Sequence, residues 1–387
     1  MVINMNVGGT EKALLNMINE MPKHKYDITI LMLERNGGFL ESIPDGIHVE
    51  YIEGYSKIKD ALTKPSRNVT FKFLKEKKVI KALSFLMITI LSKTFNNKNI
   101  FFRYLLKEIP SLKNEYDVAV AYAGPMDLIS YFVTKKIKAE KKLQWIHFDV
   151  TKVGFDKSFA SKIYQKFDKV FIVSWEAKIK FIKMFPKLVS KTEVFTNMIS
   201  PNLIYSQSNN GRGFNDDFNG LRILTVGRLA FEKGQDIAIR VLSKLIQEGQ
   251  QVRWYCVGEG SQRREYEQLI RDYNLQGKFI LMGSDINPYT YMKQCDIYVQ
   301  PSRYEGYCIT LIEARSLRKT IITTDVNGAR EQLIDGVTGL IVGANESEIY
   351  TAIKNLINNR GLSKTLSDNL LKEKQYFSTD MEKLYGL

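Results

Sequence analysis

Residues 296–315 read D-I-Y-V-Q-P-S-R-Y-E-G-Y-C-I-T-L-I-E-A-R, and residues 320–342 read T-I-I-T-T-D-V-N-G-A-R-E-Q-L-I-D-G-V-T-G-L-I-V. Three strand-like runs, at Ile297–Gln300, Thr320–Thr323 and Gly339–Val342, alternate with helix-like segments. This alternation predicts a parallel sheet wound by helices. Ligands bind at the carboxyl ends of the strands in such sheets, and those ends are rich here in Gly, Pro, Ser and Asn. The sequence therefore places the chemistry in this stretch.

The first loop of this stretch and the helix after it each contain a carboxylate. Glu305 lies in the loop, and Glu313 follows eight residues later in the predicted helix. Gly306 permits a tight turn, and the backbone N–H groups around Tyr307, Cys308 and Ile309 begin the helix and can bind an anion. Such a site would grip hydroxyl groups at both ends of an extended ligand. From the residues alone, Glu313 is equally well a solvated helix residue.

The length and composition indicate a two-domain protein of a reducing compartment. A chain of 387 residues exceeds the usual size of one core. Its three cysteines have no paired spacing, which argues against disulfides and structural zinc. No signal peptide is predicted, and the longest apolar run, Ala82 to Leu91, is far shorter than the roughly 20 residues of a membrane span. We therefore expect a cytoplasmic, soluble or peripheral protein.

The net charge of +14 is concentrated in the first half of the chain. Residues 1–199 hold 33 Lys/Arg and 20 Asp/Glu, whereas residues 200–387 hold 23 and 22. Residues 57–107 combine clustered lysines with aromatic and aliphatic residues, a pattern typical of helices that lie on anionic membranes. The alternative is a solvated lysine face over core aromatics. Nucleic acid is not expected as a partner, because no nucleic-acid-binding motif occurs.

The first half also predicts a wound parallel sheet, over residues 1–198. After a short apolar strand at the start come strand-like runs at Asp27–Leu33, His48–Tyr51, Val118–Tyr122, Leu143–His147 and Val170–Ser174. Gly8 and Gly9 follow the first strand, where N–H groups can approach a phosphate or a sugar ring. Their spacing is not G-x-G-x-x-G, so a dehydrogenase gains no support. His147 stands at the end of a strand, and from the residues alone a structural role is favoured over a functional one.

The run E-G-Y-C-I-T-L-I-E, with P-S-R-Y-E-G and D-G-V-T-G-L-I-V beside it, resembles the E-x7-E motif of retaining glycosyltransferases of family 4. The runs G-R-L-A-F-E-K-G and G-G-T-E-K resemble two further blocks of that family. The resemblance implies an α/β protein with two facing Rossmann-like domains, the GT-B fold, and a donor site in the interdomain cleft. The domains would be residues 1–198 and 221–371, with a polar linker at 199–220 and a final helix at 372–387 that crosses back to the first domain.

The resemblance also implies a role for each site residue. Arg228 and Lys233 would bind a diphosphate, Glu313 the ribose hydroxyls and Glu305 the transferred sugar, with His147 beside that sugar. The remaining donor-binding residues would be Gly8, Gly9, Met282, Gly283, Gly306, Tyr307, Cys308 and Ile309. Position 308 departs from the family, in which many members carry Gly.

The implied activity is the retaining transfer of a hexosyl group from a nucleotide diphosphate sugar, with a UDP-sugar as first choice. No Asp-x-Asp motif occurs, so no metal and no other cofactor is expected. The implied acceptor is a saccharide, preferably lipid-linked, at the inner face of the plasma membrane. Two alternatives stay open: a sugar-nucleotide epimerase of the same fold, and a non-catalytic scaffold with a degenerate donor site.

Overall fold

A computed structural model describes residues 1–22, 24–372 and 379–386. Its first domain contains six strands, listed in chain order: β1 Thr29–Met32, β2 His48–Tyr51, β3 Glu115–Gly124, β4 Lys138–Ile146, β5 Lys169–Ile172 and β6 Thr192–Val194. Eight helices accompany them: α1 Gly9–Glu20, α2 Tyr55–Thr63, α3 Ser66–Lys75, α4 Val79–Thr94, α5 Lys98–Leu105, α6 Asp127–Lys136, α7 Lys157–Tyr164 and α8 Trp175–Met184.

The strands of the first domain form one parallel layer in two hydrogen-bonded groups, β1-β2 and β3-β4-β5-β6. The start of the chain joins the two groups. The N–H of Val2 donates to the carbonyl of Leu31 at 2.9 Å, and the N–H of Tyr122 donates to the carbonyl of Met1 at 3.1 Å. The predicted strand at the start is therefore only a single bridge, Val2 opposite Met32. The side chain of Asn4 accepts from the N–H of Asn6 at 3.2 Å, a local bond that competes with a strand ladder.

The second domain contains six further strands: β7 Leu221–Val226, β8 Val252–Val257, β9 Phe279–Gly283, β10 Ile297–Gln300, β11 Thr320–Thr324 and β12 Leu340–Val342. Its helices, with the last one of the chain, are α9 Pro201–Ser208, α10 Gln235–Gln247, α11 Arg263–Asp272, α12 Tyr289–Gln294, α13 Ile309–Ser316, α14 Ala329–Gln332, α15 Glu346–Asn358, α16 Arg360–Lys372 and α17 Glu382–Tyr385. All six strands pair in parallel, in the order β12-β11-β10-β7-β8-β9.

Both layers are buried on two faces, as parallel sheets require. In β7 and β8, Ile223 and Trp254 pack into one apolar cluster of the second domain, whereas their neighbours Leu224 and Tyr255 pack into another. This alternation follows from the two-residue period of a strand. From β7 to β9 the chain moves toward one edge of the second sheet, and from β10 to β12 it moves toward the other edge. The strand order therefore reverses between β7 and β10, and ligands bind in the crevice at the carboxyl ends of strands at such a point. The predicted fold class, two Rossmann-like α/β domains with parallel sheets, is confirmed.

The segment predicted as a polar linker, residues 199–220, is partly helical. Ser200 caps α9 by accepting from the N–H of Leu203 at 3.4 Å, and Pro201 occupies the first helical position, where its lack of an N–H costs nothing. Ile204 packs into an apolar cluster of the second domain. Burial of this apolar side chain therefore holds the helical part of the predicted linker against the second domain.

The described residues at the end of the chain, 379–386, lie against the first domain and include the short helix α17. The carboxylate of Asp380 accepts from the N–H of Thr196 at 2.8 Å, and the ammonium of Lys383 donates to the carbonyl of Val194 at 2.6 Å. The rings of Tyr385 and Tyr26 stack with centroids 5.9 Å apart. Residues 373–378 and 387 of the predicted crossing helix lie outside the described residues.

The basic segment 57–107 folds into most of α2 and the whole of α3, α4 and α5. Phe85 and Phe102 are buried, as the core alternative predicts, whereas Phe71, Leu74 and Ile80 are exposed. Within the described ranges, every helix is too short or too polar to cross a bilayer.

Candidate active site

A lysine and a glutamate meet where β7 and β10 end. The ammonium of Lys233, in the loop after β7, lies 2.6 and 2.8 Å from the two carboxylate oxygens of Glu305, in the loop after β10. The side chains are 21% and 10% exposed. Gly234 ends the β7 loop with φ of +70°, and an added Cβ there would lie 2.0 Å from the carbonyl of Pro301. The glycine therefore lets the two loops approach each other closely.

A series of side-chain hydrogen bonds fixes the position of Glu305. The hydroxyl of Ser302 donates to the Glu305 carboxylate at 2.7 Å, and the amide of Gln300 donates to the hydroxyl of Ser302 at 2.7 Å. The hydroxyls of Tyr298 and Thr310 in turn donate to the Gln300 carbonyl oxygen, at 2.6 and 3.0 Å. Because each member is held by the next, the position of the carboxylate is set before a ligand arrives.

The two predicted diphosphate cations differ in their surroundings. Burial opposes the charge of Lys233, but the neighbouring Glu305 carboxylate outweighs that effect and raises the pKa of the ammonium above its usual value. Lys233 is therefore a permanent cation. Arg228 is 60% exposed and pairs with Glu232 at 2.6 Å, one helical turn along the chain. It stands at the rim of the crevice, accessible to solvent.

The second predicted carboxylate, Glu313, is fully buried in α13. One of its oxygens accepts from the hydroxyl of Tyr289 at 3.0 Å and lies 2.7 Å from the ammonium of Lys12. The other oxygen has no hydrogen-bond partner among the described residues. Glu313 is thus a buried carboxylate with one oxygen left unpaired, and the alternative of a solvated helix residue is excluded. Lys12 also lies over the ring of Tyr289, 4.3 Å from its centroid.

Lys12 belongs to α1 of the first domain, so its ion pair with Glu313 crosses the cleft. The same approach brings Gly9 to Ile309, whose Cδ1 atom lies 3.6 Å from the position of a Cβ added to Gly9. Gly8 is the N-cap residue of α1, in an extended conformation. Gly9 therefore lies against the start of α13. The role of Lys12 was not predicted, although it stands in the run G-G-T-E-K.

The start of α13 is open. Cys308 is its N-cap residue, and no side chain of the described chain caps the helix. Burial raises the pKa of the Cys308 thiol to about 12, so the residue adds no negative charge. Uncapped N–H groups at a helix start favour anions. Lys233 and this helix start can therefore bind an anion together.

His147 faces this site from the first domain. An added Cβ on Gly306 would lie only 1.8 Å from the carbonyl of His147, so the two backbones touch across the cleft. Burial lowers the pKa of the imidazole to about 3, which keeps it neutral. Neither ring nitrogen has a hydrogen-bond partner among the described residues. A neutral imidazole can donate from one nitrogen and accept at the other, which suits sugar hydroxyls.

Three further predicted residues lie around this centre. Gly283, at the end of β9, has φ of +83° and accepts from the N–H of Gly258 at 2.8 Å. Met282 precedes it and packs partly buried against an apolar cluster of the second domain. The side chain of Tyr307 leaves the crevice and packs against an apolar cluster of the first domain. Tyr307 therefore offers only its backbone to a ligand.

Sequence reasoning missed two more cross-domain contacts. The carboxylate of Asp149 accepts from the side-chain amide of Asn327 at 2.9 Å. The carboxylate of Glu331 accepts from the N–H groups of Trp175 and Glu176, at 3.1 and 3.0 Å, and so caps α8 from the other domain. No local pattern marks these residues, because each contact joins positions more than 150 apart. No cluster of three or more potential metal-ligating side chains occurs in residues 1–22, 24–372 and 379–386.

Part of the chain is similar in sequence to known glycosyltransferases. Residues 213–373 match the family described as glycosyl transferases group 1, so the second domain has the sequence of such a domain. A Campylobacter jejuni relative, N-acetylgalactosamine-N,N'-diacetylbacillosaminyl-diphospho-undecaprenol 4-alpha-N-acetylgalactosaminyltransferase, is 30% identical over 54% of this chain and 56% of its own. The phosphatidylinositol N-acetylglucosaminyltransferase GPI3 subunit of Saccharomyces cerevisiae is 28% identical over 44% of this chain and 40% of its own. The chain thus spans about half the length of these curated relatives.

Solved structures share the whole fold. Anabaena HepE in complex with UDP-glucose superposes with a TM-score of 0.70 and 18% identity, covering 100% of this chain and 99% of its own. Sucrose-phosphate synthase from Thermosynechococcus elongatus superposes with a TM-score of 0.67 and 15% identity, covering 100% and 98%. These neighbours place the chain among proteins of the GT-B fold.

Proposed function

We propose that this chain is a glycosyltransferase that moves a hexosyl group from a nucleotide diphosphate sugar to a saccharide acceptor. One observation carries the proposal. A permanent cation, two fixed carboxylates and an uncapped helix start converge at the strand-order reversal of a domain that matches the group 1 family. A diphosphate sugar needs this combination, since it carries an anion between two hydroxyl-bearing rings.

The anion site would bind the diphosphate and stabilise the charge that develops as the glycosidic bond breaks. Lys233 supplies a fixed positive charge and the start of α13 supplies N–H donors, and Arg228 would reach the diphosphate from the rim. Such preorganised donors typically contribute the largest share of rate acceleration. Glu305 would accept hydroxyl groups of the transferred sugar. The neutral His147 would hydrogen-bond to the same sugar from the opposite side of the cleft.

Glu313 would bind the ribose hydroxyls through its unpaired oxygen. We take uridine as the base, because solved structures of the same fold are complexes with UDP or UDP-glucose. Retention of the anomeric configuration and independence from metal are parts of the proposal that rest on the resemblance of Glu305 and Glu313 to the E-x7-E motif. No covalent nucleophile is assigned.

The acceptor that we propose is a lipid-linked saccharide at the cytoplasmic face of the plasma membrane. Two relatives are named for a diphospho-undecaprenol and a phosphatidylinositol, both lipids. The basic segment 57–107 provides a surface that suits an anionic membrane.

Product analysis tests the proposal. The protein is incubated with UDP-hexoses in a chelator, with and without an undecaprenyl-diphosphate-linked saccharide, and the products are separated and examined by NMR. We expect UDP release to require the acceptor and the new linkage to keep the donor's anomeric configuration. Epimerised UDP-sugar without acceptor would establish the epimerase instead, and no turnover with intact donor binding would establish the scaffold.

A further inference from the structure

The outer face of α4 is apolar and exposed to solvent. Its exposed large side chains recur every three or four residues, so they form one stripe along the helix. The most exposed of them are Ile80 at 83%, Leu83 at 61% and Met87 at 57%. The remaining members of this surface, with their neighbours on α3 and at the end of α4, are Phe71, Leu74, Val79, Leu86, Ile90 and Phe95.

This stripe is not the core-facing side of α4. The opposite side of the helix carries Ala82, Phe85, Thr89 and Ser92, which are buried. Phe85 packs there with Val69 of α3 and Leu105 of α5 in a small apolar cluster. The helix is therefore apolar on both sides, although only one side is needed for folding. An apolar surface of this extent on a soluble domain marks an interaction site.

Lysines without carboxylate partners surround one end of the stripe. Residues 57–107 hold 13 Lys/Arg and two Asp/Glu, a net charge of +11. A groove of about 630 Å³ opens beside the α3–α4 turn, lined by lysines 57, 77, 78, 81 and 107 and floored by aromatic rings. Lys81 pairs with Glu108 at 3.2 Å and Lys78 with Glu76 at 2.8 Å. Among the described contacts, Lys57, Lys77 and Lys107 have no acidic partner, so they are available to an anionic group.

We infer that α3 and α4 form a membrane-docking surface: the apolar stripe enters one leaflet of an anionic bilayer, and the lysine groove receives phospholipid headgroups. The occupant is a phospholipid bilayer because an apolar stripe bordered by unpaired cations matches acyl chains bordered by phosphates. The inference deepens the membrane location proposed above by naming the contact surface. It does not depend on glycosyl transfer, and binding can be measured with no donor or acceptor present.

Vesicle flotation of the full chain tests the inference. The probes are vesicles of phosphatidylcholine and phosphatidylglycerol in equal parts, and vesicles of phosphatidylcholine alone. We expect binding to the first and at least tenfold weaker binding to the second, since the attraction of each lysine to an anionic surface is lost. Donor binding, followed by calorimetry without vesicles, should be unchanged by every variant below, which separates this test from that of the proposed function.

Two variant sets address the two halves of the surface. Ile80→Gln/Leu83→Gln/Met87→Gln removes the centre of the stripe and leaves the buried face intact. Lys57→Gln/Lys77→Gln/Lys107→Gln removes the unpaired cations, and we expect it to weaken vesicle binding by roughly a hundredfold. A control set with the same charge change in the same domain is Lys162→Gln/Lys183→Gln/Lys187→Gln, which should bind vesicles like the wild type.

Several outcomes would overturn the inference. Equal binding of the wild type to both vesicle types would show that no specific surface is involved. The same conclusion would follow if the control set lost as much vesicle binding as the set that removes the unpaired cations. Displacement from vesicles by millimolar inorganic phosphate without loss in the stripe variant would indicate a free-phosphate site. A wild-type dimer in light scattering that the stripe variant converts to monomer, together with absent vesicle binding, would identify the stripe as a contact between copies of this chain.

Discussion

The two domains share a parallel layer and helices on both faces, but they bring different chemistry to the cleft. The second domain contributes fixed charges, Lys233, Glu305 and the buried Glu313. The first contributes a neutral imidazole, His147, and one cation, Lys12, that is already paired across the cleft. Under the proposed function, the second domain would recognise the charged donor, whereas the first would cover it and shape the acceptor side. Each prediction below tests one part of this division.

The largest effect is expected from Lys233→Ala. It removes the buried cation and leaves the Glu305 carboxylate unpaired in the anion site. We expect kcat to fall by about 100- to 1,000-fold, in line with the loss of one preorganised transition-state donor. Steady-state kinetics of UDP release measures it. Lys244→Ala is the control, because this exposed lysine lies in the same domain, 3.7 Å from Glu346. A kcat within twofold of wild type for Lys233→Ala would contradict the role of the cation.

Gly306→Ala should break the contact between the domains. The added methyl group would lie 1.8 Å from the carbonyl of His147, so the cleft must widen. We expect kcat/KM to fall by about 10- to 100-fold, because small displacements of reacting groups are costly. Gly154→Ala provides the control, since nothing lies within 4 Å of a Cβ there. Equal activity of the two variants would show that closure does not shape the site.

Glu313→Gln should weaken donor binding more than turnover. The amide keeps the shape but loses the charge, so hydrogen bonds from ribose hydroxyls weaken, and Lys12 loses its partner. We expect KM for the donor to rise by about tenfold with kcat nearly unchanged, the pattern of lost uniform binding. Glu265→Gln on the exposed face of α11 is the control. A fall in kcat at unchanged KM would place Glu313 at the reacting centre instead.

The smallest effect concerns stability within the second domain. Asp216 accepts from the hydroxyl of Tyr255 and pairs with Arg222 at 2.7 Å and Arg253 at 3.0 Å. Burial opposes its ionisation, but the hydrogen bonds from Tyr255, Arg222 and the N–H of Phe218 lower the pKa of the carboxyl group to about 2. Because this folded-state pKa is depressed below the unfolded value of about 3.9, the stabilisation is present above pH 4 and is lost as the pH falls toward 2.

Asp216→Asn should therefore lower the free energy of unfolding by about 1–2 kcal/mol at pH 7, measured by denaturant titration. The difference between variant and wild type should shrink below pH 4. A difference that is constant from pH 7 to pH 3 would show that the charge of Asp216 is not the cause.

Local pattern was sufficient for the strands around the site. The runs ending at Gln300, Thr323 and Val342 fold as expected, because parallel strands buried on both faces read as apolar runs. Helix α13 likewise begins beside Cys308. The short strand β6 was missed, since three residues, Thr192–Val194, give no periodicity. The helical part of the linker was missed because its polar composition hides the single buried Ile204.

The residues that cross the cleft could not be predicted in the same way. Lys12 meets Glu313, and Asn327 meets Asp149, only because the two domains pack against each other in the folded chain. The motif predicts that Glu313 is functional, but it does not identify Lys12 as the cation that pairs with this buried carboxylate. The mixture of buried and exposed apolar residues in α4 is also invisible to periodicity, because both faces of that helix are apolar.

The measurement that tests the central claim most directly is calorimetric titration of UDP and UDP-hexoses, in a chelator, into the wild type, Lys233→Ala and Lys244→Ala. The account predicts that a UDP-hexose binds the wild type and Lys244→Ala alike, and that affinity for Lys233→Ala falls by at least tenfold, since a charge-assisted contact to the diphosphate is lost. Equal affinity of all three proteins, or no binding to the wild type, would contradict a donor site built on the second domain.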